Sequence, residues 1–179
     1  MKQQNKIIVV GATSGLGRML AERYIRDGHV VGIVGRRGDK LAEVAKGHSE
    51  VHCLKADVTD ISQIAVHLSA LAGEMGGLDL LVLCSGVGRM NPDLDYGLEL
   101  PTVDTNVRGW TAVTDWASRH PWFGSGSCLF RFQGLPDPLF GSVAATCTHF
   151  PQEGLRDGCS SRIRSYSLAF PSRKIVLGG

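Results

Sequence analysis

Four short apolar runs recur along the first half of the chain, and each is followed by a longer stretch of helix-compatible composition. The runs are apolar at nearly every position, which is typical of parallel strands covered on both faces. They read KIIVV (6–10), HVVGIV (29–34), VHCLKA (51–56) and LDLLVLC (78–84). This alternation predicts repeated βα units and an α/β fold with a doubly wound parallel sheet and helices on both faces.

Two of the intervening stretches carry a helical period. The first spans residues 15–27, and Gly28 follows it as a C-terminal stop. The second begins at Asp60 and closes at Gly73. The predicted apolar stripes are Leu16, Met19, Leu20 and Tyr24 in the first helix, and Ile61, Ile64, Ala65, Leu68 and Leu71 in the second.

Composition narrows the classes of function. The length of 179 residues, with 43% hydrophobic and 20% charged residues, predicts one domain with a sizeable core. The formal net charge is +2 and no run of five like charges occurs, so neither nucleic acid nor a membrane is expected as a partner. The first residues lack the apolar core of a signal peptide, which favours a cytoplasmic location. Five cysteines without C-x-x-C spacing favour reduced thiols, and no metal site is predicted.

The stretch VVGATSGLGRML (9–20) places three glycines between the first strand and the first helix. Gly11 suits a tight turn, Gly15 lets the backbone approach a ligand, and Gly17 lets the helix lie against the sheet. The N-terminus of that helix offers unpaired N–H groups to a pyrophosphate. Because a strand precedes, a helix follows and a suitable residue lies about 20 positions on, a dinucleotide site is favoured over a plain glycine-rich turn.

That downstream position carries Arg36 and Arg37, directly after the second strand. An acidic residue there suits the ribose 2′-hydroxyl of NAD, whereas arginine suits the 2′-phosphate of NADP through charge-assisted hydrogen bonds. The sequence therefore favours NADP (NADPH), with NAD as the weaker candidate. The alternative is that the two arginines are only solvent-exposed residues of a loop and bind no ligand.

These residues resemble the short-chain dehydrogenases/reductases, a family with a Rossmann-like fold. GATSGLG (11–17) resembles the family's glycine motif, and RR (36–37) resembles its NADP-selecting position. Asp57-Val58 resembles the dipeptide that contacts adenine. LDLLVLCSGVG (78–88) resembles the strand that ends in Asn-Asn-Ala-Gly, although both asparagines are lost. The resemblance implies cofactor contacts from Gly11, Thr13, Ser14, Gly15, Leu16, Gly17, Arg36, Arg37, Asp57, Val58, Cys84, Ser85 and Gly86.

The family's chemistry is hydride transfer between a nicotinamide and a carbonyl or alcohol carbon, with a tyrosine, a lysine four residues later and a serine at the site. No Tyr-x-x-x-Lys occurs here, since Gly28, Leu100 and Phe170 lie four residues after the three tyrosines. Phe132 and Gln133 stand where the family carries Ser-Ser. Asn106 matches the family's asparagine that kinks a long helix and holds a water in the proton relay. The predicted catalytic set is reduced to Asn106.

Composition changes after residue 118, where all six phenylalanines but only one of the six lysines are found. We predict NADP-binding, Rossmann-like βα units over 1–117, incomplete at the C-terminal side, and an atypical, irregular or disordered segment of the same domain over 118–179. The segment is a divergent lobe, a disordered extension or the product of a reading-frame change.

Three functional classes stay open. They are an NADP-dependent oxidoreductase that acts on a small carbonyl or alcohol compound, a dinucleotide-binding protein without turnover, and a truncated or frame-shifted inactive chain. Fold analogy does not decide among them, because function depends on the site. The sequence identifies neither the substrate nor the oligomeric state, so a homo-oligomer stays open.

Overall fold

A computed structural model describes residues 4–120 and four further strands. The elements within 4–120 are β1 (Lys6–Val10), α1 (Gly15–Arg26), β2 (Val30–Gly35), α2 (Gly38–Ala45), β3 (Val51–Lys55), α3 (Ile64–Glu74), β4 (Leu80–Leu83), α4 (Tyr96–Val103), a π-helical segment (Asp104–Gly109) and α5 (Trp110–Arg119). The further strands are β5 (Cys128–Gly134), β6 (Val143–His149), β7 (Ala169–Phe170) and β8 (Arg173–Lys174). In the described part of the chain, every helix is too short or too polar to span a lipid bilayer.

The main sheet has the strand order β3-β2-β1-β4-β5-β6. The first five strands of the chain, β1 to β5, run parallel in this sheet, whereas β6 is antiparallel to β5. Strands β7 and β8 form a separate antiparallel pair. The chain moves outward in one direction from β1 to β3 and returns to the other side with β4, which confirms the predicted Rossmann-like, doubly wound topology. A crevice opens at the carboxyl ends of β1 and β4, where the strand order reverses.

The core consists of two apolar layers on opposite faces of the sheet. Side chains alternate along each strand, so Ile8 packs with α3 and α5 on one face, while Ile7 packs with α1 and α2 on the other. Strands β1, β2 and β4 are buried at nearly all positions. The prediction that their apolar runs are covered on both faces is confirmed.

Strand β3 departs from that prediction. It lies at the edge of the main sheet, and Cys53 and Lys55 are exposed. An edge strand pairs on one side only, so fewer neighbouring side chains cover it. The apolar run therefore predicted the strand β3 correctly, but the strand is less buried than predicted.

The bounds of the first predicted helix are confirmed, because α1 ends at Arg26 and Gly28 follows with φ +85°. Its predicted apolar stripe is wrong at Met19, which is 51% exposed. The bounds predicted for the second helix are wrong, since α3 begins at Ile64 rather than at Asp60 and ends at Glu74, beyond Gly73. The Asp57 carboxylate accepts hydrogen bonds from the backbone and hydroxyl of Thr59, which favours a turn over an early helix start. Ile61 therefore lies outside the helix and is 40% exposed.

Most of 118–179 lies outside the described residues. The boundary after residue 117 and the irregular character of the following segment stay predictions.

Candidate cofactor site

The glycine-rich loop after β1 is packed between β2 and β4. The backbone N–H of Gly11 donates to the Val34 carbonyl at 2.8 Å. Gly11 has φ +90°, and a Cβ there would lie 2.5 Å from the Ser85 nitrogen. A Cβ at Gly17 would lie 2.2 Å from the Gly11 carbonyl oxygen. Glycine is therefore required at both positions by backbone contact, and the loop is held close to the end of β4.

The loop is also held by Arg37, at the start of α2. The Nη2 atom of Arg37 donates to Thr13 Oγ1 and to Ser14 Oγ, at 2.8 Å each. Each hydroxyl accepts from the arginine and keeps its own hydrogen for another acceptor. Gly35 lets Thr13 lie this close to β2, because a Cβ at Gly35 would be 2.6 Å from Thr13 Cγ2.

The N-terminus of α1 opens beside this cluster. Ser14 occupies the N-cap position, but its side chain makes no capping hydrogen bond and the first turn of α1 contains no acidic residue. Its first backbone N–H groups therefore carry partial positive charge that no carboxylate of that turn offsets. With the Arg37 guanidinium and two hydroxyls, the loop forms a site suited to anionic groups.

Arg36 points toward the end of β3 rather than toward the loop. Its Nη1 lies 3.6 Å from Asp57 Oδ2, and both side chains are partly exposed. An ion pair in that setting contributes little to stability. The two adjacent arginines thus face different parts of the same crevice.

The end of β4 forms the opposite wall. The backbone N–H of Cys84 donates to the Val10 carbonyl at 2.7 Å. Burial raises the pKa of the Cys84 thiol to about 12, so the thiol stays neutral near pH 7 and provides no thiolate. Ser85 Oγ is buried and has no hydrogen-bond partner within the described residues.

The chain that follows β4 is held by the long helix composed of α4, the π-helical segment and α5. Asn106 Nδ2 donates to the Val87 carbonyl at 2.7 Å, and Asn106 Oδ1 accepts from the Val87 N–H at 2.9 Å. The indole Nε1 of Trp110 donates to the Ser85 carbonyl. Asn106 lies within the π-helical segment, so the long helix does depart from α-geometry at the residue where the resemblance implies a kink.

These elements enclose a cleft of about 190 Å³. It brings together most of the predicted cofactor contacts: Gly11, Thr13, Ser14, Arg36, Arg37, Asp57, Val58, Cys84, Ser85 and Gly86. Gly15, Leu16 and Gly17 lie in the first turn of α1 and are not among the lining residues. Six further residues line the cleft and were not predicted from the sequence: Val10, Val34, Gly35, Ala56, Val87 and Thr105. The strand-end positions of Val10, Val34, Gly35 and Ala56 are the signal that could have identified those four.

Asn106 lies beside the cleft rather than in its wall, and lines a second cleft together with Trp110. Within residues 4–120, no tyrosine or lysine lines the first cleft. Tyr24 packs against the sheet, where burial raises its pKa, and Tyr96 is 75% exposed. Tyr166 lies outside the described residues. The predicted catalytic role of Asn106 therefore stays a prediction.

Residues 5–125 match the model of a protein family described as short chain dehydrogenase, and this match covers more than half of the chain. The chain belongs to the short-chain dehydrogenase family. Members are oxidoreductases, and the resemblance drawn from the sequence motifs is confirmed. The glycine loop, the paired arginines and the β4 end described above all lie within the matched range.

Named relatives agree with this assignment. The chain is 34% identical over 106 residues to an uncharacterized oxidoreductase of Staphylococcus haemolyticus, covering 57% of this chain and 46% of the relative. It is 30% identical over 110 residues to an NADP-dependent 3-hydroxy acid dehydrogenase of Shigella flexneri, covering 61% of this chain and 41% of the relative. The chain thus spans less than half the length of these two relatives.

Among solved structures, the chain is similar to an actinorhodin polyketide ketoreductase crystallised with NADPH. The TM-score is 0.57 with 29% sequence identity, over 63% of this chain and 46% of the ketoreductase. The similarity again concerns about half of the other protein.

Proposed function

We propose that this short-chain dehydrogenase chain binds NADPH in preference to NADH in the cleft at the ends of β1, β2 and β4. The cofactor would serve hydride transfer to or from a small carbonyl or alcohol compound. The observation that carries the proposal is the contact of Arg37 with both Thr13 and Ser14 at 2.8 Å. It brings one guanidinium and two hydroxyl groups together at the edge of the cleft.

A 2′-phosphate is the group that this arrangement suits. It carries two negative charges and several acceptor oxygens, so it can accept from the guanidinium and from both hydroxyls. Position 36, where NAD-selective sites carry a carboxylate, holds an arginine. Asp57 is the acidic residue that lines the cleft, and its Oδ1 already accepts hydrogen bonds from the N–H and the hydroxyl of Thr59. The charges at this end of the cleft therefore favour NADPH.

The pyrophosphate fits the glycine loop and the start of α1. Glycines at 11 and 17 bring the loop backbone close to the sheet, and the helix presents its uncapped N–H groups there. In an open α/β sheet the two halves of a dinucleotide lie on either side of the strand-order reversal. Arg36 and Arg37 follow β2, so the adenosine end belongs on that side. The Ser85–Val87 side takes the nicotinamide end.

Bound NADPH would supply the hydride, and the reduced oxygen would then need a proton. The family obtains it from a tyrosine assisted by a lysine four residues later, and that pair does not occur in this sequence. We therefore propose that this chain binds its cofactor but turns over slowly. The NADP-dependent relative and the NADPH-bound ketoreductase support the choice of cofactor.

The proposal is tested by titrating NADPH and NADH into the protein and into two charge-matched variants. Arg37→Ala removes the bridge to Thr13 and Ser14, whereas Arg23→Ala removes an exposed arginine that pairs with Asp27 on α1. Charge-assisted hydrogen bonds contribute about 1.5–3 kcal/mol, so Arg37→Ala should weaken NADPH binding about 10- to 100-fold. NADH binding should weaken much less, because NADH shares the loop contacts but has no 2′-phosphate. Equal effects of the two variants on NADPH binding would contradict the proposal.

A further inference from the structure

The wall of the cleft at Ser85–Val87 depends on the long helix for its position. The Ser85 hydroxyl is buried and makes no hydrogen bond within the described residues, so it does not fix its own peptide. Three hydrogen bonds come instead from two helix residues: Asn106 pairs twice with Val87, and the Trp110 indole donates to the Ser85 carbonyl.

Asn106 and Trp110 lie four residues apart, about one turn, so both reach the same segment. The π-helical segment that contains Asn106 ends at Gly109, directly before Trp110. Gly109 lies against Val58, where a Cβ would be 2.7 Å from Val58 Cγ2. The helix therefore packs closely against the chain that follows β3, and Trp110 is only 5% exposed.

We infer that Trp110 is a positioning residue for the nicotinamide side of the cofactor cleft, acting through the Ser85 carbonyl. The inference rests on the proposed NADPH binding. Ser85 also contacts the glycine loop, since a Cβ at Gly11 would lie 2.5 Å from the Ser85 nitrogen. A displaced Ser85 peptide therefore disturbs both the cleft wall and the pyrophosphate loop. Loss of the indole N–H should weaken cofactor binding more than it weakens the fold.

The chain offers a matched control in Trp116. It lies in the same helix, is 7% exposed, and donates its indole N–H to Ser69 Oγ at 2.8 Å, away from the cleft. Trp110→Phe and Trp116→Phe make the same change of side chain, and each removes an indole N–H that donates a hydrogen bond. A purely structural role for Trp110 predicts equal effects of the two variants on NADPH affinity.

The first test compares the two variants in ligand-free protein and in NADPH titrations. Amide exchange in peptides that cover 84–88 should speed up in Trp110→Phe and stay unchanged in Trp116→Phe. The dissociation constant for NADPH should rise about 3- to 10-fold in Trp110→Phe alone, as the loss of one hydrogen bond predicts. Equal exchange and equal affinity in the two variants would overturn the inference.

A second test removes only the N–H. In a background with Trp116→Phe and Trp122→Phe, Trp110 is the remaining tryptophan, and it can be replaced by benzothienylalanine, which keeps the ring shape without the donor. Faster exchange at 84–88 and weaker NADPH binding would support the inference; values equal to those of the tryptophan protein would overturn it. If the unaltered protein does not bind NADPH, the proposed function fails, while exchange at 84–88 still tests the role of Trp110.

Discussion

The side-chain amide of Asn106 pairs with the backbone of Val87 in both directions, at 2.7 and 2.9 Å. The residue that the resemblance assigns to a proton relay thus also joins the long helix to the chain after β4. Asn106 has a structural function beside its predicted catalytic one.

Asn106→Ala should destabilise the fold measurably. It leaves a partly buried N–H and a partly buried carbonyl of Val87 without partners, which costs about 1–3 kcal/mol of unfolding free energy. Urea unfolding measures the loss. Asn91→Ala is the control, since Asn91 bonds to Asp95 and Glu99 at a more exposed site. Similar losses of unfolding free energy in the two variants would show that the hydrogen bonds between Asn106 and Val87 stabilise the fold no more than those of Asn91.

Gly17→Ala should disrupt the loop. The added methyl group would meet the Gly11 carbonyl oxygen at 2.2 Å, and backbone yields less easily than a side chain. Overpacking of this kind costs about 1–3 kcal/mol or more, and it would displace the proposed pyrophosphate site. Thermal unfolding and NADPH titration both report the effect. Gly38→Ala is the control, because its nearest neighbour is Lys55 Cδ at 3.5 Å; a variant at Gly17 that behaves like Gly38→Ala would refute the close packing.

Cys84 should make the protein less stable in alkali. Burial raises the pKa of its thiol from 9.0 to about 12, so above pH 9 the unfolded chain loses this proton while the folded chain keeps it. The stabilising contribution is complete below about pH 9 and declines as the pH rises toward 12. Urea unfolding at about pH 8 and about pH 10.5 should show a smaller decline in Cys84→Ala than in the unaltered protein. If both decline equally, the thiol ionises freely in the folded state.

Carbonyl reduction by this chain should be slow. General acid catalysis contributes about 10²–10⁴-fold, and the Tyr-x-x-x-Lys pair that would provide it does not occur in the sequence. NADPH oxidation with a panel of ketones, aldehydes and diketones measures the rate, with Tyr166→Phe as the control. Rapid turnover that disappears in Tyr166→Phe would identify an alternative catalytic tyrosine and contradict this expectation.

Local patterns predicted the parallel strands and the glycine loop, because apolar runs and glycine spacing report directly on burial and on backbone conformation. The exposure of β3 was missed, since its edge position depends on strand order rather than on its own residues. The contact between Trp110 and Ser85 was also missed. It joins residues 25 positions apart through a π-helical segment, and no short-range period encodes that approach.

The adenosine end of the cleft gives the most direct test of the proposed cofactor preference. Calorimetric titration with adenosine 2′,5′-bisphosphate and with AMP isolates the 2′-phosphate, because the two ligands differ only in that group. The contacts of Arg37 with Thr13 and Ser14 predict at least about tenfold tighter binding of the bisphosphate, and a much smaller difference in Arg37→Ala. Equal affinities in the unaltered protein, or no binding of either ligand, would contradict the account.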